Sequence, residues 1–112
     1  MPKLYLKKLT SSLFEEFLPT STLRRNLLIN DVPDNLFVEE DQVLARSVIS
    51  GLISNILSAT ENRCIRLSAR IFEGIIFLNI SDGKNNNQCG IIEGHQTKLV
   101  PGYFFNSSNL AA

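Results

Sequence analysis

The stretch Asp41-Gln42-Val43-Leu44-Ala45-Arg46-Ser47-Val48-Ile49-Ser50-Gly51-Leu52-Ile53-Ser54-Asn55-Ile56-Leu57-Ser58-Ala59-Thr60 decides how this chain folds. Its apolar residues fall at Val43, Leu44, Val48, Ile49, Leu52, Ile53, Ile56 and Leu57. That recurrence lays a broad apolar stripe along one side of an α-helix. Ser47, Ser50, Ser54 and Ser58 take the opposite side. Glu39, Glu40 and Asp41 stand just before it, where negative charge favours a helix N-terminus through the aligned peptide dipoles. The spacing therefore predicts a long amphipathic helix over residues 41–60, one face of which needs a core to cover it.

Downstream the period changes from that of a helix to that of a strand. Ile65, Leu67, Ala69 and Ile71 alternate with Arg66, Ser68 and Arg70, which predicts a strand with one buried face. Glu73-Gly74 makes a tight turn, and Ile75-Ile76-Phe77-Leu78-Asn79-Ile80 returns as the more apolar, more central arm of a hairpin. Asp82-Gly83 closes it. Upstream, Leu6, Leu9, Leu13, Phe14 and Phe17 predict a short helix over residues 4–18, ended by Pro19 and a polar break at Thr20-Ser21-Thr22. Leu27-Leu28-Ile29 reads as a brief strand before a turn. Beyond residue 83 the pattern dissolves. Lys84-Asn85-Asn86-Asn87-Gln88 has no periodicity, and Gly90-Ile91-Ile92, Leu99-Val100 and Tyr103-Phe104-Phe105 are isolated apolar runs. Residues 84–112 are expected to form an irregular C-terminal tail.

Composition excludes several function classes. A chain of 112 residues suffices for one core, and 44% apolar with 20% charged residues is ordinary for a globular protein. Eleven basic residues balance 11 acidic ones, so no general attraction to nucleic acid or an anionic membrane is expected. No apolar run approaches the roughly 20 residues that span a bilayer. The opening Met-Pro-Lys-Leu-Tyr-Leu-Lys-Lys does not read as a signal peptide. Cys64 and Cys89 are far apart with no metal-type spacing, which suits a reduced cytoplasm. His95, the one histidine, has no partners at ligand spacing and reads as a loop residue.

The order helix, strand, long helix, hairpin, Asp-Gly resembles the GHKL-type ATP-binding domain of sensor histidine kinases, in a truncated form. Asn30-Asp31-Val32-Pro33-Asp34-Asn35-Leu36-Phe37-Val38 looks like that family's approach to its long helix, with Asp41 at the helix start. Ser47-Val48-Ile49-Ser50-Gly51-Leu52-Ile53-Ser54-Asn55-Ile56 looks like its N box, and Ile65-Arg66-Leu67-Ser68-Ala69 like the strand that follows. Ile80-Ser81-Asp82-Gly83 stands where its first glycine box begins. The resemblance implies an α+β fold, a two-layer sandwich with helices on one face of a mostly antiparallel sheet. It places the N-terminal part of the ATPase domain over residues 1–83.

Phosphoryl transfer relies on positioning and charge neutralisation, with magnesium bridging phosphate oxygens. By resemblance, Asn55 matches the family's metal-binding asparagine, Asp82 its adenine-binding aspartate, and Gly83 lies in its glycine box. ATP and Mg2+ are thus the cofactors implied. Much of the pattern is missing. Gly51 stands for the other asparagine, Ser58 for the basic residue near phosphate, and Lys84 and Asn86 for glycines. The family continues with a lid, a second glycine-rich segment at a helix N-terminus, another helix and closing strands, for which residues 84–112 are too few. Gly90 and Gly94 are too widely spaced for that segment and flank Glu93, which repels phosphate. The plain alternatives are a helix-border residue for Asn55 and a strand-ending turn for Asp82-Gly83.

The resemblance implies a degenerate histidine kinase-like domain of two-component signalling, with weak or lost ATP and magnesium binding and no autonomous kinase activity. The alternative is a protein-interaction or regulatory scaffold that uses the fold without nucleotide. A signalling protein or a second copy is the partner expected, and an uncovered sheet edge would predict self-association.

Overall fold

The computed structural model describes residues 3–38, 42–93 and 96–100. Glu39, Glu40, Asp41, His95 and Tyr103-Phe104-Phe105 lie outside the described residues. In chain order the elements are β1 (Leu4–Tyr5), α1 (Leu6–Leu23), β2 (Leu27–Asp31), β3 (Phe37–Val38), α2 (Gln42–Ala59), β4 (Cys64–Phe72), β5 (Ile75–Ser81), β6 (Asn87–Glu93) and β7 (Gln96–Val100).

The predicted long helix is α2. Ala45, Val48, Ile49, Leu52, Ile53, Ile56 and Leu57 are buried along it. Val43 and Leu44 belong to the same periodic set but stand in the first turn and are exposed, so the buried stripe starts at Ala45. Full burial of a side chain such as Ile49 or Leu52 contributes about 1.5–3 kcal/mol. By length and composition α2 would also suit a membrane, and here its apolar face packs into the core.

Helix α1 runs past the predicted stop at Pro19 to Leu23. Proline removes one intrahelical hydrogen bond and crowds the carbonyl four residues back. Pro19 and Glu15 are both exposed, so the proline stands on the open side of the helix, where a missing bond costs least. Ser21, expected in a break, is buried in the last turn, and its hydroxyl donates to the Asn26 carbonyl at 2.5 Å. The true stop is a Schellman turn, with Asn26 N–H on the Ser21 carbonyl, Arg25 N–H on that of Thr22, and Arg25 at φ 59°.

The sheet has the order β2-β4-β5-β6-β7. β2 lies parallel to β4, with α2 carrying the chain between them, and the remaining pairs are antiparallel. The β4–β5 hairpin turns at Glu73-Gly74, both with positive φ, which is the two-residue turn that matches strand twist. Ile65, Leu67, Ile76, Leu78, Ile80 and Ile92 point to the helices and form one core with Leu6, Leu9, Leu13 and the buried face of α2. β1 and β3 form a separate two-stranded pair beside the start of α1. The architecture is thus the expected α+β sandwich, with helices on one face of a mostly antiparallel mixed sheet.

The irregular tail expected over residues 84–112 is corrected for 87–93 and 96–100, which are strands. Along β6 the core side receives Gln88, Gly90 and Ile92 and the outer side Asn87, Cys89 and Ile91. Neither face is uniformly apolar, so no period-2 signal arises. Pairing with β5 decides the strand.

Candidate functional site

The sequence-predicted residues gather toward one end of the sandwich, where α1 and α2 finish, β2 and β4 begin and β5 ends. Asn26 organises that end from a buried position. Its Nδ2 donates to the Thr60 carbonyl at 3.2 Å and to Thr60 Oγ1 at 3.1 Å, and its Oδ1 accepts the Arg63 N–H at 2.9 Å. Arg24 Nε donates to the same Thr60 carbonyl at 2.7 Å, and Asn62 N–H to the Arg24 carbonyl at 2.8 Å. These bonds tie the end of α1 to the end of α2 and fix where β4 starts. Sequence reasoning missed Asn26, Thr60 and Arg63. The signal available was a polar residue flanking each strand start, which is too common to single out.

Asp82 follows β5 directly and its side chain is only 1% exposed. Oδ1 accepts the Lys84 N–H at 2.8 Å and the Asn86 N–H at 3.1 Å. Oδ2 accepts Asn86 Nδ2 at 3.1 Å and lies 3.7 Å from Arg63 Nε. Asp82 N–H donates to the Asn86 carbonyl at 3.1 Å. The carboxylate therefore fastens a turn over residues 82–86 that carries the chain straight from β5 to β6. Burial pushes its pKa up. The bonds from the Asn86 side chain and the Lys84 and Asn86 N–H groups, together with the Arg63 charge, outweigh that, and it titrates below its ordinary value of 3.8.

Gly83 is exposed at φ 77°, a conformation that side chains disfavour, and its N–H donates to Ser81 Oγ at 2.9 Å. A Cβ there would meet nothing within 4 Å, so the turn needs this glycine for its backbone angle. Asn55 stands on the exposed side of α2, one turn before its end; Ser58 Oγ donates to its carbonyl at 2.8 Å. Gly51 is half-buried on the same helix.

Asp82 and Gly83 border a depression of about 370 Å³ lined also by Cys64, Arg66, Ser68, Asn79 and Ser81. Those five alternate with the core-facing Ile65, Leu67, Leu78 and Ile80, so the depression lies on the sheet face away from the helices. Asn55 belongs to the helix layer. Asp82 and Gly83 adjoin at the end of β5, while Asn55 stands on the exposed side of α2. Arg66 is held over this face by Asp31 at 3.3 Å.

Solved structures share this arrangement. The catalytic domain of histidine kinase ThkA, in a nucleotide-free form, superposes with a TM-score of 0.63 at 16% identity, over 70% of this chain and 56% of that one. The Acinetobacter baumannii histidine kinase AdeS gives 0.63 at 15% identity, over 72% of this chain and 41% of that one. ThkA in complex with the response regulator protein TrrA gives 0.62 at 18% identity, over 70% and 24%. No protein-family model matches the sequence, and no curated protein matches it by sequence. The fold is that of a GHKL-like histidine kinase ATPase domain. The chain spans about half the length of the ThkA catalytic domain, and a turn over residues 82–86 links β5 to β6.

Proposed function

We propose that this chain is a degenerate histidine kinase-like ATPase domain of two-component signal transduction, with ATP and magnesium binding weak or lost and no autonomous kinase activity. The observation that carries this reading is the state of Asp82. A carboxylate offers about four acceptor positions. Three are filled from within the turn, a fourth direction faces Arg63, and 1% of the side chain is exposed. An adenine amine would have to displace those donors.

The rest of the donor set supports the same reading. Magnesium needs several oxygen ligands in near-octahedral order, and Asn55 offers one neutral amide from an exposed helix surface. Ser58 brings no positive charge to a phosphate. The link over residues 82–86 has no length for a lid or a glycine-rich helix start between β5 and β6. The residues present do not fit an ATP–magnesium complex.

The test is thermal stability against magnesium-ATP. A ligand at a hundred times its Kd stabilises by about 2.7 kcal/mol, a shift easily read in a melt. No shift is expected at millimolar ATP. A saturable rise that Asn55→Ala abolishes would overturn the proposal.

A scaffold or regulatory role is the second reading, favoured by the sheet face away from the helices. There Arg66, Arg70 and Phe72 are exposed. The ThkA–TrrA complex makes a signalling protein the natural kind of partner to test, with self-association as the alternative. The thiols of Cys64 and Cys89 suit a cytoplasmic setting. We take the domain to run through β7 rather than to end at residue 83.

A further inference from the structure

The outer face of the sheet, turned away from both helices, changes character along its strands. Toward the hairpin tip it is apolar, with Phe72 exposed and Ile75, Phe77 and Ile91 half-buried. Toward Asp82 it turns polar, and the depression of about 370 Å³ lies in that half. The ladder register sets its floor. Arg66 pairs with Ser81 and Ser68 with Asn79, on adjacent strands and the same face. Neighbouring strands are about 4.8 Å apart and alternate residues of one strand about 7 Å, so these four mark out a rectangle of roughly 5 by 7 Å. Cys64, exposed, stands one step further along β4. The hydrogen bonds already made leave donors over. Asp31 engages Arg66 at Nη1, 3.3 Å away, and the guanidinium's Nε and Nη2 have no partner among the described residues. Asn79 Oδ1 accepts the Cys89 thiol at 3.3 Å, and its Nδ2 has no partner among the described residues. Ser81 Oγ accepts the Gly83 N–H at 2.9 Å, so its own O–H remains to donate. The carboxylate that borders the depression, Asp82, is occupied by three hydrogen bonds and the Arg63 charge.

We propose that this depression binds a small anion, whose carboxylate or phosphate group is held by Arg66 on β4 and by Asn79 and Ser81 on β5. A guanidinium presents a planar fork of donors that matches the paired oxygens of either group. Asp31 takes one end of that fork and steadies it over the face, and the rest is left for the ligand. The Asn79 amide and the Ser81 hydroxyl complete the cradle from the neighbouring strand, within the span of a single such group. The volume stands at the small end of the roughly 300–1,000 Å³ usual for ligand pockets, which suits a compact compound. Asn55 and the Asp82 carboxylate take no part in it, so the site stands whether or not the domain binds nucleotide.

Cys64 reports on occupancy, because a group bound beside it shields its thiol. Cys89→Ser leaves Cys64 as the only thiol and keeps a donor for Asn79 Oδ1. In that background the full chain is labelled with a neutral pyridyl disulfide at constant pH. Inorganic phosphate or succinate is added, against chloride at equal ionic strength to hold screening fixed. Labelling is expected to slow saturably, by about tenfold once the protecting anion reaches roughly ten times its Kd. Whichever of the two protects at the lower concentration tells whether phosphate or carboxylate is preferred. Arg66→Gln removes the fork, and Asn79→Asp sets a like charge against the anion while keeping an acceptor for residue 89. Each should abolish the protection and leave the uncompeted rate nearly unchanged. Should Asn79→Asp not melt cooperatively, Arg66→Gln, at an exposed position, decides alone. No slowing by either anion up to about 0.1 M beyond that of chloride would overturn the proposal. So would protection that survives in a folded variant, which would put the anion elsewhere.

Discussion

Replacing Asp82 with alanine separates two roles for the same carboxylate. As a fastener of the turn over residues 82–86, Asp82 accepts three hydrogen bonds, from Lys84 N–H, Asn86 N–H and Asn86 Nδ2. Hydrogen bonds to a charged group contribute about 1.5–3 kcal/mol each when their loss leaves a buried partner unpaired. Lys84 is exposed and Asn86 half-buried, so water takes up part of what Asp82 releases. Arg63 at 3.7 Å is partly exposed and adds at most about 1 kcal/mol. The expected net loss is about 2–4 kcal/mol. In a domain of this length 1 kcal/mol moves the melting temperature by about 3–6 °C, so Asp82→Ala should lower it by roughly 6–24 °C. Asp82→Asn should fall between the two, because one oxygen still accepts the N–H groups while the amide now faces the Asn86 amide. The carboxyl is held below its ordinary 3.8, so its contribution is complete above that pH and is lost as pH falls through the folded value. Melts from pH 6 downward should therefore show the wild type losing more stability in acid than Asp82→Asn does. An alanine variant that melts within about 2 °C of wild type would refute the fastening role and leave the carboxylate reserved for a ligand.

Asn26→Ala should cost about 1–3 kcal/mol in denaturant unfolding, because it strands the Arg63 N–H and leaves the Thr60 carbonyl with Arg24 as its remaining side-chain donor; a loss below about 0.5 kcal/mol would mean that Arg24 holds the junction alone. Gly83→Ala should cost about 1 kcal/mol through backbone conformation alone, since its Cβ would meet open space, and a larger loss would point to a contact over the turn. Asn55→Ala should change stability by no more than about 0.5 kcal/mol, as expected at an exposed helix position, and a clear loss would give Asn55 a structural partner.

The sequence made the middle of the fold legible because there the demands of burial and backbone coincide. Each buried residue of α2 from Val48 onward lies on the predicted stripe, and Ile65, Leu67, Leu78 and Ile80 fall on the core side that alternation assigns them. Pro19 misled because a proline penalty is local, and the proline stands on the open side of the helix while the helix is held by Ser21 and Asn26 beyond it. β6 stayed hidden because its core side includes Gln88 and Gly90, so its identity rests on β5 rather than on its own pattern. The site was half legible. Asp82-Gly83 was read both as a glycine-box start and as a strand-ending turn, and three bonds to one carboxylate favour the turn. Which side-chain donors would converge on Asp82 depends on Arg63, 19 positions earlier in the chain, and no local pattern announces that pairing.

The short β5–β6 link and the engagement of Asp82 are one physical fact. A strand that must reverse within five residues leaves several N–H groups near its end without a ladder partner. A carboxylate at the first position is the side chain best placed to accept them, as an Asx-type turn. Asp82 accepts from positions 84 and 86, and its own N–H returns to the Asn86 carbonyl. In a longer connection the same aspartate would be free to face a ligand, because other residues would satisfy the strand end. Asn86 supplies two of the three hydrogen bonds that Asp82 accepts, so the residue at which the resemblance would place a glycine is one that closes the turn.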